Sequence, residues 1–278
     1  MRNVLKTTAL TATAAGLALT LAACSSGSSG SGASADPNKA LVVAASPTPH
    51  AQILKFVQDN LAAKAGLKLE IKEVSDYVTP NTSVQDGSAD ANYFQHQPYL
   101  DDFNKKNGTD IVSVEAVHLE PLGAYSKKVK TVGDLANGAQ VAVPSDATNE
   151  GRALKLLADN NVITLKAGAG TTATVQDIAA NPKNLKFKEL EAAQLPRALD
   201  DVDAAIINGN YALGAGLKPA TDAILVEKAQ GNPYANILAV KKGHESDPRV
   251  QKLAELLHSA EVKKYIDDTF QGAVVPAF

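Results

Sequence analysis

Arginine is scarce in this chain, with four in 278 residues, and Arg152 stands where an anion would be held. It falls in VAVPSDATNEGRALKLL, at the start of a helical pattern that follows an apolar strand pattern. A helix N-terminus offers free N–H groups and positive potential. An Arg placed there can grip a carboxylate through two parallel hydrogen bonds. The alternative for Arg152 is a solvated side chain paired with Glu150 or a nearby Asp. A second concentration is aromatic. Of 13 aromatic residues, Tyr77, Tyr93, Phe94 and Tyr99 crowd into one short stretch, among Asp, Asn, Gln and Pro rather than in an apolar periodic segment. Core aromatics normally sit where burial is repaid by apolar neighbours, so this cluster reads either as packing beneath surface loops or as the wall of a ligand pocket. His96, two places after Phe94, is the histidine that belongs with that wall. Asn208 ends the apolar run AAIIN, and Asn236 opens the run NILAVKKG after Pro233 and Tyr234. An amide at a strand end can accept from an ammonium and donate to a carboxylate; each is equally a simple turn former.

Other patterns carry less. The GAGTTA stretch at residues 168 to 173 imitates a dinucleotide loop but sits mid-chain, with no acidic residue at a strand end about 20 positions on. Asp200, Asp201 and Asp203 read as a solvated helix end rather than a cation site. The five histidines show no metal-ligand spacing, and no nucleophile motif is present, so neither a metal site nor an enzyme is expected.

These side chains need elements to hold them. Residues 40 to 45 form an apolar run, AQILKFVQDNLAAKAG follows with Ile53, Phe56, Val57 and Leu61 on one helical face, and residues 67 to 74 alternate as a strand. Strand, helix, strand predicts a parallel sheet. Further on, residues 131 to 138 read as a short helix, 139 to 144 as a strand and 147 to 162 as a helix. Residues 185 to 191 read as a strand, 194 to 201 as a helix, 202 to 208 and 236 to 243 as strands, and 248 to 270 as one closing amphipathic helix. This order predicts two α/β lobes, with the C-terminal helices returning to the first. The ligand is expected where strand C-termini face each other.

The N-terminus addresses the compartment. Arg2 and Lys6 precede the uncharged residues 7 to 23, a signal-peptide layout whose apolar run is short for a transmembrane span. Cys24, the only cysteine, closes Leu21-Ala22-Ala23-Cys24 and resembles a bacterial lipobox, in which the cysteine is lipidated; it leaves no partner for an intramolecular disulfide. Residues 25 to 38 form a Ser/Gly-rich tether too polar to fold. Of 27 basic residues, removal of Arg2 and Lys6 leaves 25 against 30 acidic ones, with no basic stripe, which argues against a nucleic-acid partner.

Blocks along nearly all of residues 40 to 278 resemble the methionine-binding lipoproteins of ABC uptake systems, the NlpA family. They are ASPTPHAQIL, DYVTPN, DANYFQHQPYLD, AYSKK, VAVPSDATNEGRALKLL, NPKNLKFKELEAAQLPRALDD, AAIINGNYA and PYANILAV. The resemblance implies a two-lobed type II periplasmic-binding-protein fold that closes about a hinge on an interlobe cleft. It places lobe I at residues 39 to 121 plus 237 to 278 and lobe II at 122 to 236. It implies L-methionine or a close analogue as ligand, no cofactor, and delivery to a membrane permease driven by a cytoplasmic ATPase. By position it makes Arg152 the carboxylate clamp and Asn208 and Asn236 the groups holding the amino-acid head. Tyr77, Phe94, His96 and Tyr99 would enclose the side chain, with Tyr125 and Asn149 lining the cleft. The protein is expected at the outer face of the cell membrane, anchored through Cys24. Another small apolar amino acid, D-methionine, a methionine-containing dipeptide, or an adhesin-type role are the competing expectations.

Overall fold

The computed structural model describes Asp36 and residues 38–278. The signal peptide, Cys24 and most of the tether lie outside the described residues. Among the described residues, no helix is long and apolar enough to cross a membrane.

The first half of the chain gives β1 (Leu41–Ala45), α1 (Gln52–Val57, flanked by wide helical turns), β2 (Leu69–Glu73), α2 (Thr79–Asp86), β3 (Ala91–His96), α3 (Gln97–Asn107) and β4 (Ile111–Leu119). The chain then crosses to β5 (Gly123–Tyr125), β6 (Gln140–Pro144), α4 (Ala147–Asp159), β7 (Thr164–Leu165), β8 (Ile178–Ala180) and β9 (Lys186–Leu190). After these come α5 (Leu195–Ala198), β10 (Ala204–Ile207), α6 (Gly209–Gly214), α7 (Pro219–Asp222) and β11 (Ala223–Val226). It returns through β12 (Asn236–Lys241), α8 (Pro248–Leu257), α9 (Ala260–Phe270) and β13 (Val275–Pro276). The first lobe is built on the sheet β13-β4-β12-β3-β1-β2 and the second on β11-β5-β10-β6-β9. Residues 120 to 122 and 227 to 235 connect the two sheets.

Strand periodicity explains the cores. In β1, Val43 and Ala45 join Leu54, Leu253 and Ile266 on one face, while Ala44 points to Val84, Leu100 and Ile111 on the other. In β12, Leu238 and Val240 take the first face and Ile237 and Ala239 the second. Both faces are covered, so these strands read as continuous apolar runs. The second sheet repeats this, with Val141, Val143 and Ile206 against α4 and Ala142, Ala205 and Ile207 against α5. α8 and α9 do return to the first lobe, where Phe56 stacks on Tyr265 at 4.3 Å.

Several expectations change in detail. Both sheets are mixed rather than purely parallel. β1 runs parallel to β2 and β3, but β12 is antiparallel to β3 and β4, and β5 is antiparallel to β10. The closing helix divides at His258 and Ser259, because the Ser259 hydroxyl accepts from the Val262 N–H and starts a new helix. Residues 131 to 138 contain only a short 3-10 turn, Val132–Asp134, closed by a capping box with Thr131. Asn236 is already part of the first sheet, as its pairing with His96 and His118 shows.

Gly151, inside α4, lies against the loop that carries Thr171. A Cβ there would fall 2.3 Å from the Thr171 carbonyl oxygen and 2.9 Å from the Ala173 nitrogen. Backbone cannot step aside as a flexible side chain can, so Gly151→Ala is expected to cost about 1–3 kcal/mol. The melting temperature should fall by several degrees, at roughly 2–4 °C per kcal/mol for a chain of this size. Gly170→Ala is the control, since nothing lies within 4 Å of its Cβ position. Equal melting temperatures for the two variants would contradict the close approach.

Candidate functional site

Four parallel strands aim their C-terminal ends at the junction of the lobes: β1 and β3 from the first sheet, β6 and β10 from the second. A cavity opens there, lined by Tyr77, Phe94, Gln95, His96, Tyr99, Glu120, Asn149, Arg152, Asn208, Gly209, Asn210 and Asn236. It gathers eight of the nine residues expected at a ligand site. Tyr125 is the exception. It is buried in the second lobe's core beside Leu195 and Val202, away from the cavity lining, with its hydroxyl unpartnered.

The aromatic wall comes from the first lobe. Tyr77, Phe94 and Tyr99 sit with ring centroids 5.7 to 6.1 Å apart. Phe94 lies in β3 and Tyr99 in α3, while Tyr77 lies in the bend just before α2. All six residues of β3 are buried, and its polar members bond to one another. Asn81 Nδ2 donates to Gln95 Oε1 at 2.8 Å, Gln95 Nε2 donates to Asn81 Oδ1 at 2.7 Å, and Asn92 Nδ2 donates to the same oxygen at 2.9 Å. A satisfied amide cluster is tolerated inside where unpaired amides would not be. Tyr77 and Tyr99 are positioned by their hydroxyls, which donate to Asn210 Oδ1 at 2.6 Å and to the Tyr77 carbonyl at 2.9 Å.

His96 ends β3 and caps α3. Its Nδ1 accepts from the Tyr99 N–H at 3.1 Å, so Nε2 carries the proton and donates to Asn149 Oδ1 at 3.2 Å. Burial, with Arg152 nearby, pushes its pKa down to about 3. Asn149 is held from behind by Asp146, the N-cap of α4, whose carboxylate accepts from both its backbone and its side-chain N–H at 3.0 Å. Its Oδ1 also accepts from Asn208 Nδ2 at 2.8 Å. Asn208 Oδ1 is then left buried and without a protein partner. A buried orphan acceptor at a cavity wall is costly unless something donates to it.

Arg152 is buried one turn into α4, and the solvated pairing with Glu150 does not occur: Glu150 instead accepts from the Val175 N–H at 2.8 Å. The guanidinium meets Glu227 in a fork, Nε to Oε1 at 3.0 Å and Nη2 to Oε2 at 2.5 Å, and Nη2 also donates to the Glu120 carbonyl at 2.9 Å. Its face lies 4.4 Å from the Tyr234 ring. Arg152 is thus tied to both segments that connect the lobes. Nη1 makes no hydrogen bond among the described residues.

Glu120, Asn210, Gln95 and Gly209 were not singled out in the sequence. Glu120 is the important omission, a carboxylate buried between the lobes. Its one sequence signal is a lone acid in the apolar run VHLEPLGAY. His118 Nε2 stands 2.8 Å from its Oε1 and His50 Nε2 3.4 Å. Burial raises its pKa, opposed by His50, Arg152 and the Asn210 backbone N–H. His50, His118 and Glu120 place three ligand-type atoms within 4.8 Å of one another, although histidine spacing gave no hint of it.

Burial pushes His50 down to about 4 and His118 to about 3, alongside His96. The unfolded chain therefore binds more protons at these rings. Their stabilisation is complete above the unfolded value near 6.5 and is lost as pH falls towards 4 and 3. Each ring removes about 1.4 kcal/mol per pH unit in that interval. Glu120 and Glu150, whose pKa burial raises, Glu150 to about 7, work in the opposite sense, two groups against three. The melting temperature should fall between pH 6.5 and 4, with the three rings still neutral by 15N NMR at pH 5.5. A flat melting profile would contradict the neutral-ring assignment.

The profile of the NlpA lipoprotein family matches residues 41–278. The chain is 44% identical over 243 residues to the methionine-binding lipoprotein MetQ of Bacillus subtilis, covering 86% of this chain and 88% of that one. It is 42% identical over 226 residues to the D-methionine-binding lipoprotein MetQ of Escherichia coli, covering 81% and 83%. Among solved structures, a nutrient binding protein from Burkholderia cenocepacia bound to methionine superposes with a TM-score of 0.83 at 48% identity, over 86% of this chain and 100% of that one. Sequence blocks, two-lobed architecture and similarity over most of both partners' lengths agree: the chain belongs to the NlpA lipoprotein family.

Proposed function

We propose that this protein is the extracytoplasmic, lipid-anchored solute-binding component of an ABC importer, and that it captures methionine by closing residues 39 to 121 plus 236 to 278 against residues 122 to 235. The observation that carries the reading is the pairing of unlike polar groups in one buried cavity. Arg152 offers a cation, while Glu120 and the unpartnered Asn208 Oδ1 offer acceptors, all beside an aromatic wall. That set suits an α-amino acid head with an apolar side chain.

In this reading the carboxylate takes Arg152 Nη1, and the ammonium takes Glu120, Asn208 Oδ1 and Asn236. The thioether lies among Tyr77, Phe94, His96 and Tyr99, where each sulfur–aromatic contact contributes about 0.3–1.5 kcal/mol. Because His96 is neutral, the side-chain pocket carries no charge to repel an apolar group. Methionine has nine heavy atoms, so nanomolar binding, about −12.3 kcal/mol, approaches the ceiling of roughly −1.5 kcal/mol per atom. Tight binding therefore requires full enclosure by both lobes. The relatives named for methionine and D-methionine support the ligand class, and both enantiomers belong in the test.

Calorimetric titration of L-methionine into residues 25 to 278, freed of co-purified ligand by unfolding and refolding, should give saturable one-to-one binding at micromolar affinity or better. Absence of heat and of thermal stabilisation by either enantiomer would contradict the reading. Arg152→Ala should weaken binding by more than about 2 kcal/mol, since it removes a charge-assisted pair from a closed site; unchanged affinity would remove the clamp. Two or more acyl chains on Cys24 would hold the protein at the bilayer where one would not. Cys24→Ser should accordingly release it from the membrane fraction with its methionine affinity intact, and retention would refute the anchor.

A further inference from the structure

Behind Glu120, on the side away from the cavity, lie three buried rings that do not line it: His50, Tyr93 and His118. Tyr93 hydroxyl and His118 Nδ1 are hydrogen-bonded, and His118 Nε2 is 2.8 Å from Glu120 Oε1. One arrangement satisfies Tyr93, His118 and an ionised Glu120: the tyrosine O–H donates to Nδ1, so Nε2 carries the proton and donates to the carboxylate. His50 Nε2 stands 3.4 Å from the same carboxylate oxygen and 3.0 Å from Asn236 Oδ1. Both neighbours are acceptors, so this nitrogen carries a proton too and ties Glu120 to Asn236. On the far side, Gly209 leaves room for the carboxylate, since a Cβ there would lie 2.5 Å from Glu120 Cβ and 2.8 Å from Oε2.

We infer that Tyr93 and His118 are positioning residues that select for the ligand's ammonium group, by fixing in place the donor that holds Glu120 ionised and aimed into the cavity. The inference rests on reading the cavity as an amino-acid site. Its physical basis is that a buried carboxylate keeps its charge only when its lone pairs are met. Burial raises the pKa of Glu120, and a protonated carboxyl would be a poor partner for an ammonium. With the hydroxyl of Tyr93 removed, Glu120 still keeps the proton on Nε2, but the buried Nδ1 loses its donor and the ring its anchor, so the Nε2–H is no longer held in line with the carboxylate. The selectivity gained is for α-amino acids over otherwise identical acids that lack the amino group. The same His50, His118 and Glu120 atoms lie close enough together to ligate a metal ion. The 2.8 Å separation is that of a hydrogen bond, however, and a divalent ion beside Arg152 would repel the ammonium.

The test is titration of the full mature chain and its variants with L-methionine and with 4-(methylthio)butanoate, which lacks only the amino group. Tyr93→Phe and His118→Leu should weaken methionine by about tenfold or more while changing the des-amino acid by less than about threefold. His118→Gln, whose amide can still donate to Glu120, should recover part of the loss. Tyr93→Phe added to Glu120→Gln should weaken methionine no further than Glu120→Gln alone. In 15N NMR, His118 should carry its proton on Nε2 in the parent. Equal weakening of both ligands would make the rings merely structural and overturn the inference. So would unchanged methionine affinity in Tyr93→Phe, or a methionine affinity that moves with added zinc or chelator. If Glu120→Gln itself leaves methionine binding unchanged, the amino-acid reading of the cavity fails; if only the ring variants are silent, that reading stands and the positioning role falls.

Discussion

A buried guanidinium is the constraint on which the rest of this structure depends. Taking an arginine out of water costs several kcal/mol even after relaxation, and a single well-placed partner seldom offsets it. Arg152 is met by a fork of bonds from Glu227, by the Glu120 carbonyl and by the face of Tyr234. Two of these partners lie in one interlobe connection and one in the other. The charge therefore cannot be satisfied unless α4 and both connections are in register. Glu227 Oε2 reaches further and accepts from the Leu122 N–H at 3.1 Å, joining the two connections directly. The cation that faces the cavity is thus also the tie across the hinge.

Around this one charge, burial keeps the histidines uncharged. His50, His96 and His118 are neutral at ordinary pH because burial dominates, against Glu120 at His50 and together with Arg152 at His96. They serve as oriented hydrogen-bond donors: His96 to Asn149, His118 to Glu120 and His50 to Asn236. The lobes meet through similar polar bonds at the cavity's rim, with Tyr77 bonded to Asn210 and the Tyr211 hydroxyl donating to the Ser75 carbonyl at 2.8 Å. Directional bonds of about 1 kcal/mol each suit a closure that must be reversible, where an apolar interface of the same area would not release.

Much of this was legible in the sequence, for reasons that can be named. β1, β9, β10 and β12 show as apolar or alternating runs because each packs on at least one core face, and α4 shows through its apolar spacing. Arg152 and Asn208 stood out as polar residues at a helix start and a strand end, and His96 by its place two residues after Phe94. What was hidden is equally specific. α2, β3 and α3 resemble loop because Asn81, Asn92 and Gln95 are buried and bonded to one another, so composition and burial part company there. Glu120 gives no periodic signal, as its role depends on His50 and His118 arriving from other elements. Tyr125 resembles a cavity residue by position along the chain, but the local packing of β5 turns it into the core.

The measurement that tests the central claim most directly is a crystal structure of the protein with L-methionine bound. The account expects the carboxylate within hydrogen-bond distance of Arg152 Nη1, the ammonium against Glu120 and Asn208 Oδ1, and the thioether between Tyr77, Phe94 and Tyr99. A ligand bound in the reverse sense, or one seated outside the cavity with Asn208 Oδ1 still unpartnered, would contradict it.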